Sequence, residues 1–224
     1  MAPLRGVILD VDGTLVDSND AHALAWVEAL AEHGHAVPFE RVRPLIGMGS
    51  DKLLPEVTGI EVESDEGRRI TESRKELFQR RHVPGLRAFP GVRPLLRRMR
   101  QQGLQLVVAS SATEQDLRVL LEIAGADDLI EERTSSDDAE RSKPDPDVVR
   151  AALRRSGLEA GDVVMLGDTP YDVEAAGRAG VGVIAVRCGG WSDENLRGAL
   201  AVYADPAELL ARYDASPLGD RAHA

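Results

Sequence analysis

The stretch Val7-Ile8-Leu9-Asp10-Val11-Asp12-Gly13-Thr14-Leu15 decides the fold of this chain. Its first three residues are apolar and predict a buried strand, which ends where the two carboxylates begin. In an open parallel sheet, that end of a strand lies at the edge where ligands bind. Two carboxylates so close together repel each other, and their burial is costly unless a cation compensates. The stretch therefore predicts a metal site, although Asp-Gly after a strand is also typical of an ordinary turn.

Three later segments carry the same kind of signal. Leu106-Val107-Val108-Ala109-Ser110-Ser111 predicts a second apolar strand, which ends in hydroxyl groups. Ser142-Lys143-Pro144-Asp145-Pro146 places one lysine among charged and turn-forming residues. Val163-Val164-Met165-Leu166-Gly167-Asp168 predicts a third strand, which ends in a Gly-Asp pair and is followed four residues later by Asp172. Polar groups at several strand ends indicate one shared site at the carboxyl edge of a sheet.

In this order, the four segments resemble the motifs of the haloacid dehalogenase superfamily: DxDGT, a strand-end Ser or Thr, a Lys, and GDxxxD. The resemblance runs from about Leu4 to Leu210. Within the superfamily, the chain most resembles the phosphoglycolate phosphatase and β-phosphoglucomutase branch, in which a helical cap domain accompanies the core.

The order of predicted elements gives the fold class. From Val92 onward strands and helices alternate, which predicts an α/β protein with a doubly wound, Rossmann-like parallel sheet. The segment after the first strand instead predicts only helices, and it is too long for an ordinary loop. By resemblance it is a small all-helical cap. The predicted domains are a core of residues 1–16 and 84–224 and a cap of residues 17–83.

The first cap helix is predicted to place Leu24, Val27, Leu30 and Ala31 on one apolar face.

Composition limits the partners. The chain has 224 residues and a formal net charge of −11, which disfavours nucleic acid and anionic membranes as partners. Cys188 is the single cysteine, so no disulfide can form within the chain. With no leader in the sequence, this predicts a cytoplasmic protein. We expect a monomer or a weak homodimer.

The resemblance implies a role for each acidic residue. Asp10 would be the nucleophile that forms an aspartyl-phosphate intermediate. Asp12 would protonate the leaving alcohol and later take a proton from water. Asp10 and Asp168, with the backbone carbonyl of Asp12, would hold a Mg²⁺ ion. Asp172 would lie next to the metal or reach it through water, although an acid there also favours the helix dipole.

Four further residues would bind the phosphate group. By resemblance, Ser110 and Lys143 contribute a hydroxyl and a point charge. Thr14 would support the phosphate-binding loop, and Ser111 would add a backbone donor. Taken alone, Ser110 is also typical of a helix cap and Lys143 of a solvated surface charge.

The cap offers two candidates for recognition of the leaving group, His22 and Lys52. Lys52 belongs to the stretch Gly47–Lys52, which falls where related enzymes place a substrate-reading loop. The alternatives are that His22 lies at the surface or rim, with Trp26 in the cap interior, and that Gly47–Lys52 is a flexible turn.

These features predict a Mg²⁺-dependent phosphomonoesterase that acts on a small phosphorylated metabolite, similar to phosphoglycolate or a sugar phosphate. Asp12 argues against the dehalogenases and phosphonate hydrolases of the superfamily, which lack an Asp at that position. The alternatives are a phosphosugar mutase of the β-phosphoglucomutase type and a non-catalytic binding protein that kept the fold.

Overall fold

The computed structural model describes residues 3–135 and 138–219. Its centre is a parallel sheet of six strands in the order β3-β2-β1-β4-β5-β6. The strands are β1 (Gly6–Leu9), β2 (Gln105–Ala109), β3 (Glu132–Thr134), β4 (Val163–Gly167), β5 (Gly182–Val186) and β6 (Ala201–Tyr203). The predicted α/β class and doubly wound sheet are confirmed. The strand predicted from Leu129 is shorter than expected, because β3 begins only at Glu132.

Helices cover both faces of the sheet. The α-helices in chain order are α1 (Asn19–Glu32), α2 (Phe39–Val42), α3 (Ser50–Thr58), α4 (Asp65–Leu77), α5 (Val92–Gln101), α6 (Glu114–Ala124), α7 (Asp147–Ser156), α8 (Pro170–Arg178) and α9 (Pro206–Ala211). Successive side chains of β1 point to opposite faces, as strand geometry requires. Val7 and Leu9 pack in the apolar core beneath α5 and α6, whereas Ile8 packs in the core beneath α7 and α8.

The cap segment, residues 17–83, contains helices and none of the six strands, as predicted. A third group of buried apolar side chains comes from residues 23–77 alone. This separate core supports the proposal that residues 17–83 form a domain of their own. The outer bounds predicted for the other domain, residues 1 and 224, lie outside the described residues.

The predicted apolar face of α1 was right at Leu30 and at Val27, which is partly buried against the cap core, but wrong at Leu24 and Ala31. Leu24 is 42% exposed and Ala31 is exposed, while Ala23, Trp26 and Ala29 are buried with Leu30. Alanines lie on every side of this helix, so its apolar periodicity is weak. The large apolar area of the Trp26 ring therefore decides which face packs inward.

The two links between cap and core run side by side. Val16 forms an antiparallel bridge with Ala88, the Asp17 N–H donates to the Arg87 carbonyl at 2.9 Å, and the Phe89 N–H donates to the Leu15 carbonyl at 3.0 Å. Both links therefore lie directly beside the loop that follows β1.

Among the described residues, no helix is long and apolar enough to cross a membrane.

Candidate active site

The candidate active site lies where the carboxyl ends of β2, β1 and β4 meet. Because β1 pairs with both other strands, the residues that follow the three strands converge. Asp10 follows β1, Ser110 follows β2 and Asp168 follows β4, and all three side chains are buried. The Asp10 N–H still donates to the Leu166 carbonyl, at 2.9 Å, so the sheet itself fixes the backbone of Asp10.

Lys143 is the cation at the centre of the site. Its Nζ lies 2.5 Å from Asp10 Oδ1 and 2.8 Å from Asp172 Oδ1, and its side chain is 1% exposed. Asp172 is held in place because its Oδ2 accepts hydrogen bonds from the N–H and the hydroxyl of Thr169, at the start of α8. The alternative that Lys143 is a solvated surface charge is therefore wrong.

Asp168 is enclosed by donors and by backbone. Thr14 Oγ1 lies 3.0 Å from Asp168 Oδ1 and 3.1 Å from Asp10 Oδ2, and a hydroxyl can donate its hydrogen to one of them. Asn19 Nδ2 donates to Asp168 Oδ2 at 2.8 Å and to the Gly189 carbonyl at 3.0 Å. A Cβ at Gly189 would lie 1.7 Å from Asp168 Oδ2, so this approach requires glycine.

Burial makes the acidic cluster electrostatically unfavourable. It raises the pKa of Asp10 to about 7, although the attraction of Lys143 opposes the rise. Burial, together with repulsion by Asp10 and Asp172, raises the pKa of Asp168 well above its ordinary value. Burial opposes the charge on Lys143, but Asp10 and Asp172 outweigh it and raise the lysine pKa. The lysine is therefore charged, and the carboxylates compete for too little positive charge.

The same residues fit a divalent metal. One carboxylate oxygen each from Asp10, Asp168 and Asp172 lies within 4.8 Å of the others. Lys143 balances one of these three negative charges, so a divalent cation would neutralise the remainder and relieve the repulsion. Hard cations prefer such carboxylate oxygens. The carboxylate of Asp12 does not belong to this cluster.

Asp12 instead points to the cap. Its Oδ1 accepts hydrogen bonds from Ser18 Oγ at 2.5 Å and from His22 Nε2 at 2.8 Å. The other ring nitrogen, His22 Nδ1, lies 3.1 Å from Arg74 Nη2. Since a guanidinium can only donate, Nδ1 must accept, and the proton of a neutral His22 is on Nε2. Burial disfavours ionised Asp12, but His22 and Ser18 prevail and lower the pKa of Asp12.

His22 is not at the surface. Its ring is buried and stacks on Phe78 with centroids 3.9 Å apart. The surface or rim alternative for His22 is therefore wrong, whereas Trp26 lies in the cap interior as that alternative expected. Arg74 lies over the rings of Trp26 and Phe78, and its Nη1 is 3.6 Å from Asp116 Oδ2.

A cavity of about 50 Å³ separates the cap from the core above Asp10 and Asp12. Its core side is lined by Asp10, Asp12, Ser110, Ser111 and Ala112. Its cap side is lined by His22, Trp26, Ile46, Gly47, Met48 and Arg74. Asp10, Asp12 and the strand-end hydroxyls thus share one small chamber. A larger cavity of about 500 Å³, near the amino ends of β1, β4 and β5, has no ionisable side chain among its described lining residues.

The predicted phosphate-binding hydroxyls lie at this chamber. Ser110 Oγ accepts a hydrogen bond from the Ala112 N–H at 3.0 Å, which leaves its own hydrogen for another acceptor. It is not the cap of α6, because Thr113 fills that role. Ser111 Oγ lies 3.5 Å from the Gly47 carbonyl. Lys52 is the exception: it does not line the cavity, and its Nζ lies 2.6 Å from Asp145 Oδ2.

Sequence reasoning missed four residues of the site: Ser18, Asn19, Arg74 and Gly189. In the sequence, Asp17-Ser18-Asn19-Asp20 is typical of a helix N-cap, yet Ser18 makes no side-chain cap bond. Asn19 meets a partner 149 residues away in sequence, so no local pattern could have identified it. The charged stretch around Arg74 resembles any solvated helix face, and Gly189 resembles any loop glycine.

Comparison with known proteins agrees with this geometry. A family model described as haloacid dehalogenase-like hydrolase matches residues 7–186. A phosphoglycolate phosphatase from Rhodospirillum rubrum is 35% identical over 215 residues, which cover 92% of this chain and 89% of that protein. A probable phosphatase, IndB, from Dickeya dadantii is 32% identical over 205 residues, or 89% of this chain and 87% of that protein. The solved structure of a hydrolase from Pseudomonas syringae superposes with a TM-score of 0.87 at 29% identity, covering 94% of this chain and 98% of that one.

Proposed function

The chain belongs to the haloacid dehalogenase-like hydrolases and is a phosphatase, and we propose that it hydrolyses monoesters of small metabolites through a phosphorylated Asp10. The observation that carries the proposal is the cluster of Asp10, Asp168 and Asp172 around Lys143, directly beneath a cavity that Asp12 shares.

In the first step, a carboxylate oxygen of Asp10 attacks phosphorus, and the bond between phosphorus and the ester oxygen breaks. The departing alkoxide takes the proton of the Asp12 carboxyl group. Both hydrogen-bond donors of Asp12 contact Oδ1, so in this proposal Oδ2 carries that proton. A dianionic phosphate beside Asp12 favours the protonated acid, which offsets the lowered pKa of Asp12.

In the second step, water attacks the phosphorus of the acyl phosphate. Asp12 takes a proton from that water, Asp10 leaves as a carboxylate, and inorganic phosphate is released. Lys143 and the Ser110 hydroxyl would bind the phosphoryl oxygens in both steps.

We assign the metal as Mg²⁺, held by Asp10 and Asp168 with the backbone carbonyl of Asp12, and with Asp172 beside it. When bound, it would supply Lewis-acid stabilisation of negative charge on the phosphoryl group. Neutralisation of the cluster would also keep Asp10 ionised, and hence nucleophilic, at neutral pH, because burial, opposed by the attraction of Lys143, raises its pKa to about 7.

The substrate class follows from the chamber above Asp10. A volume of about 50 Å³ favours a leaving group of few atoms. Arg74 lines it from the cap, and its buried Nε has no hydrogen-bond partner among the described residues. We therefore favour a short leaving group with an anionic or other acceptor oxygen, such as the carboxylate of phosphoglycolate.

The test is phosphate release from a generic aryl phosphate with Mg²⁺ or EDTA, by the wild type and by Asp10→Asn. We expect activity with Mg²⁺ only, and none in Asp10→Asn, because the amide cannot form the acyl phosphate. Circular dichroism checks that the variant is folded, and Asp193→Asn, at an exposed position, is the matched control. Full turnover in EDTA, or in folded Asp10→Asn, would overturn the mechanism. Isomerisation of a sugar phosphate without phosphate release would instead assign the mutase.

A further inference from the structure

Lys143 belongs to a short turn that lies between the nucleophile and the cap. The Asp145 N–H donates to the Ser142 carbonyl at 3.0 Å and closes the turn Ser142–Asp145. Within it, Lys143 points inward to Asp10 and Asp172, and Ser142 is also buried. We call residues 142–145 the lysine turn. Because four residues determine where Lys143 Nζ lies, anything that holds both ends of this turn also places the ammonium group.

The cap holds both ends. The contacts come from the stretch Gly47–Lys52, which we call the cap loop. At one end of the turn, the Gly49 N–H donates to Ser142 Oγ at 3.0 Å, and the Ser142 N–H donates to Asp51 Oδ2 at 3.3 Å. At the other end, Lys52 Nζ donates to Asp145 Oδ2 at 2.6 Å.

The Lys52–Asp145 pair is better shielded than an ordinary surface ion pair. The Asp145 side chain is 14% exposed and that of Lys52 is 28% exposed. From the core side, Arg178 Nη2 lies 2.9 Å from the other oxygen of Asp145. The pKa of Asp145 is lowered, and the hydrogen bond from Lys52 is the largest cause of this shift. Asp145 is thus ionised and bound from both the cap and the core.

Close packing at Gly49 is a second, independent sign that cap loop and lysine turn fit together. An added Cβ at Gly49 would lie 2.5 Å from Ser142 Cβ and 2.7 Å from Ser142 Oγ. The φ angle of Gly49 is −77°, which any residue can adopt, so glycine is not needed there for the backbone. Glycine is needed there because any side chain would prevent the close approach of the cap loop to Ser142.

We propose that the cap loop positions Lys143: its contacts with Ser142 and Asp145 place the ammonium group on the phosphoryl site only when the cap lies on the core. Lys52 is then a positioning residue that acts through Asp145, and it does not read the leaving group. This inference rests on the proposed phosphatase mechanism, in which Lys143 binds the phosphoryl oxygens. It links cap closure to completion of the catalytic site, so that an open enzyme is a poor catalyst.

The experiment compares Lys52→Ala, Lys52→Arg and Gly49→Ala with two controls. Arg81→Ala removes an ion pair within the cap, 2.8 Å from Glu28, and Gly177→Ala adds a methyl group where no atom lies within 4 Å. Two quantities are measured for each variant: kcat on an aryl phosphate and on several metabolite phosphates, and the inhibition constant of inorganic phosphate. Inorganic phosphate has no leaving group, so its binding reports the phosphoryl site alone.

We expect Lys52→Ala and Gly49→Ala to lower kcat by roughly tenfold on every ester, because small displacements of a catalytic group are costly. The inhibition constant of phosphate should rise about fivefold, in line with a weakened ionic hydrogen bond. Lys52→Arg should restore both, and both controls should equal the wild type.

Two results would overturn the inference. If Lys52→Ala changes the ratios among esters but leaves phosphate inhibition unchanged, Lys52 reads the leaving group. If both Lys52→Ala and Gly49→Ala match the controls, the cap loop does not position Lys143. Either outcome leaves the proposed function intact when the wild type is active, whereas an inactive wild type would count against the proposed function itself.

Discussion

Asp12 is held from the cap by an N–H of His22, and this arrangement bears on the role proposed for Asp12. Arg74 donates to His22 Nδ1, so His22 presents an N–H to Asp12. This donor orients the carboxylate, and with Ser18 it favours the ionised form of Asp12. In the proposed mechanism, little of Asp12 therefore carries the proton that the leaving alcohol needs, unless substrate charge raises its pKa. The ionised form of Asp12 suits the second role that we propose for it, as a base for water.

We predict that His22→Ala slows the hydrolysis of alkyl phosphates about a hundredfold, and that of aryl phosphates less than tenfold. The variant loses the hydrogen bond that orients Asp12, and a poor leaving group depends more on a correctly placed general acid than a good one does. The measurement is kcat for one ester of each kind. His35→Ala is the matched control, since His35 lies 2.9 Å from Glu66 in the cap and away from the cavity. Equal losses on both esters would contradict the assigned role of Asp12.

The carboxylate cluster gives a second prediction, which does not depend on turnover. Mg²⁺ at 100 times its dissociation constant should stabilise the fold by about 2.7 kcal/mol, and EDTA should reverse this. For a chain of this size we expect a Tm increase of roughly 5–10 °C, measured by thermal unfolding. Calcium should also raise the Tm but support little activity, because its larger coordination shell misplaces the phosphoryl group.

Asp168→Asn is the variant that tests the assignment, since it removes one carboxylate from the cluster while its amide keeps the shape. Its Tm should respond little to Mg²⁺. A Tm increase equal to that of the wild type would place the metal elsewhere.

At the scale of elements, the loop after β5 completes a site that β1 and β4 begin. Gly189 can lie against Asp168 only because it has no side chain. Its carbonyl accepts hydrogen bonds from Asn19 and, at 2.6 Å, from Arg43 Nη2. This loop is therefore a wall of the acidic cluster, and it is also a contact surface for the cap.

We predict that Gly189→Ala abolishes the Mg²⁺-dependent rise in Tm and nearly all phosphatase activity. The added Cβ would lie 1.7 Å from Asp168 Oδ2, so the carboxylate or the loop must move. The overpacked site should also cost about 1–3 kcal/mol of stability, measured by urea unfolding. Gly161→Ala, which meets no atom within 4 Å, is the control. A normal metal response in Gly189→Ala would mean that Asp168 is not a ligand.

How far the sequence predicts this molecule depends on how local the signal is. The buried strands β1 and β4 were predictable because each is a short apolar run that ends in acids, and the topology then brings Asp10 and Asp168 together. The inward face of α1 was not, because packing of the Trp26 ring prevails over a weak periodicity. Contacts such as Asn19 with Asp168, or Lys52 with Asp145, join residues far apart in sequence. Only the folded chain reveals them.

At the scale of the whole molecule, cap and core meet in a closed arrangement that several polar contacts hold. Arg43 donates to Gly189, and the Tyr171 hydroxyl donates to the Pro44 carbonyl at 2.7 Å. The two links beside β1 form a narrow connection, and we expect the cap to rotate about it. Substrate must enter the small chamber between cap and core, so we expect the closed form to alternate with an open one.

Trp26 can report this motion, because it lies on the cap side of the chamber and is 3% exposed. The chain has two tryptophans, so Trp191→Phe leaves Trp26 as the single fluorophore. Opening would expose the ring to water, whereas phosphate bound with Mg²⁺ should bridge core and cap and favour closure. We predict that acrylamide quenching of Trp26 falls about twofold when Mg²⁺ and inorganic phosphate are added together, and less when either is added alone. Trp26→Phe, which retains Trp191, is the control for effects outside the chamber. Unchanged quenching of Trp26 at phosphate concentrations that inhibit turnover would show that the cap does not move when the phosphoryl site fills.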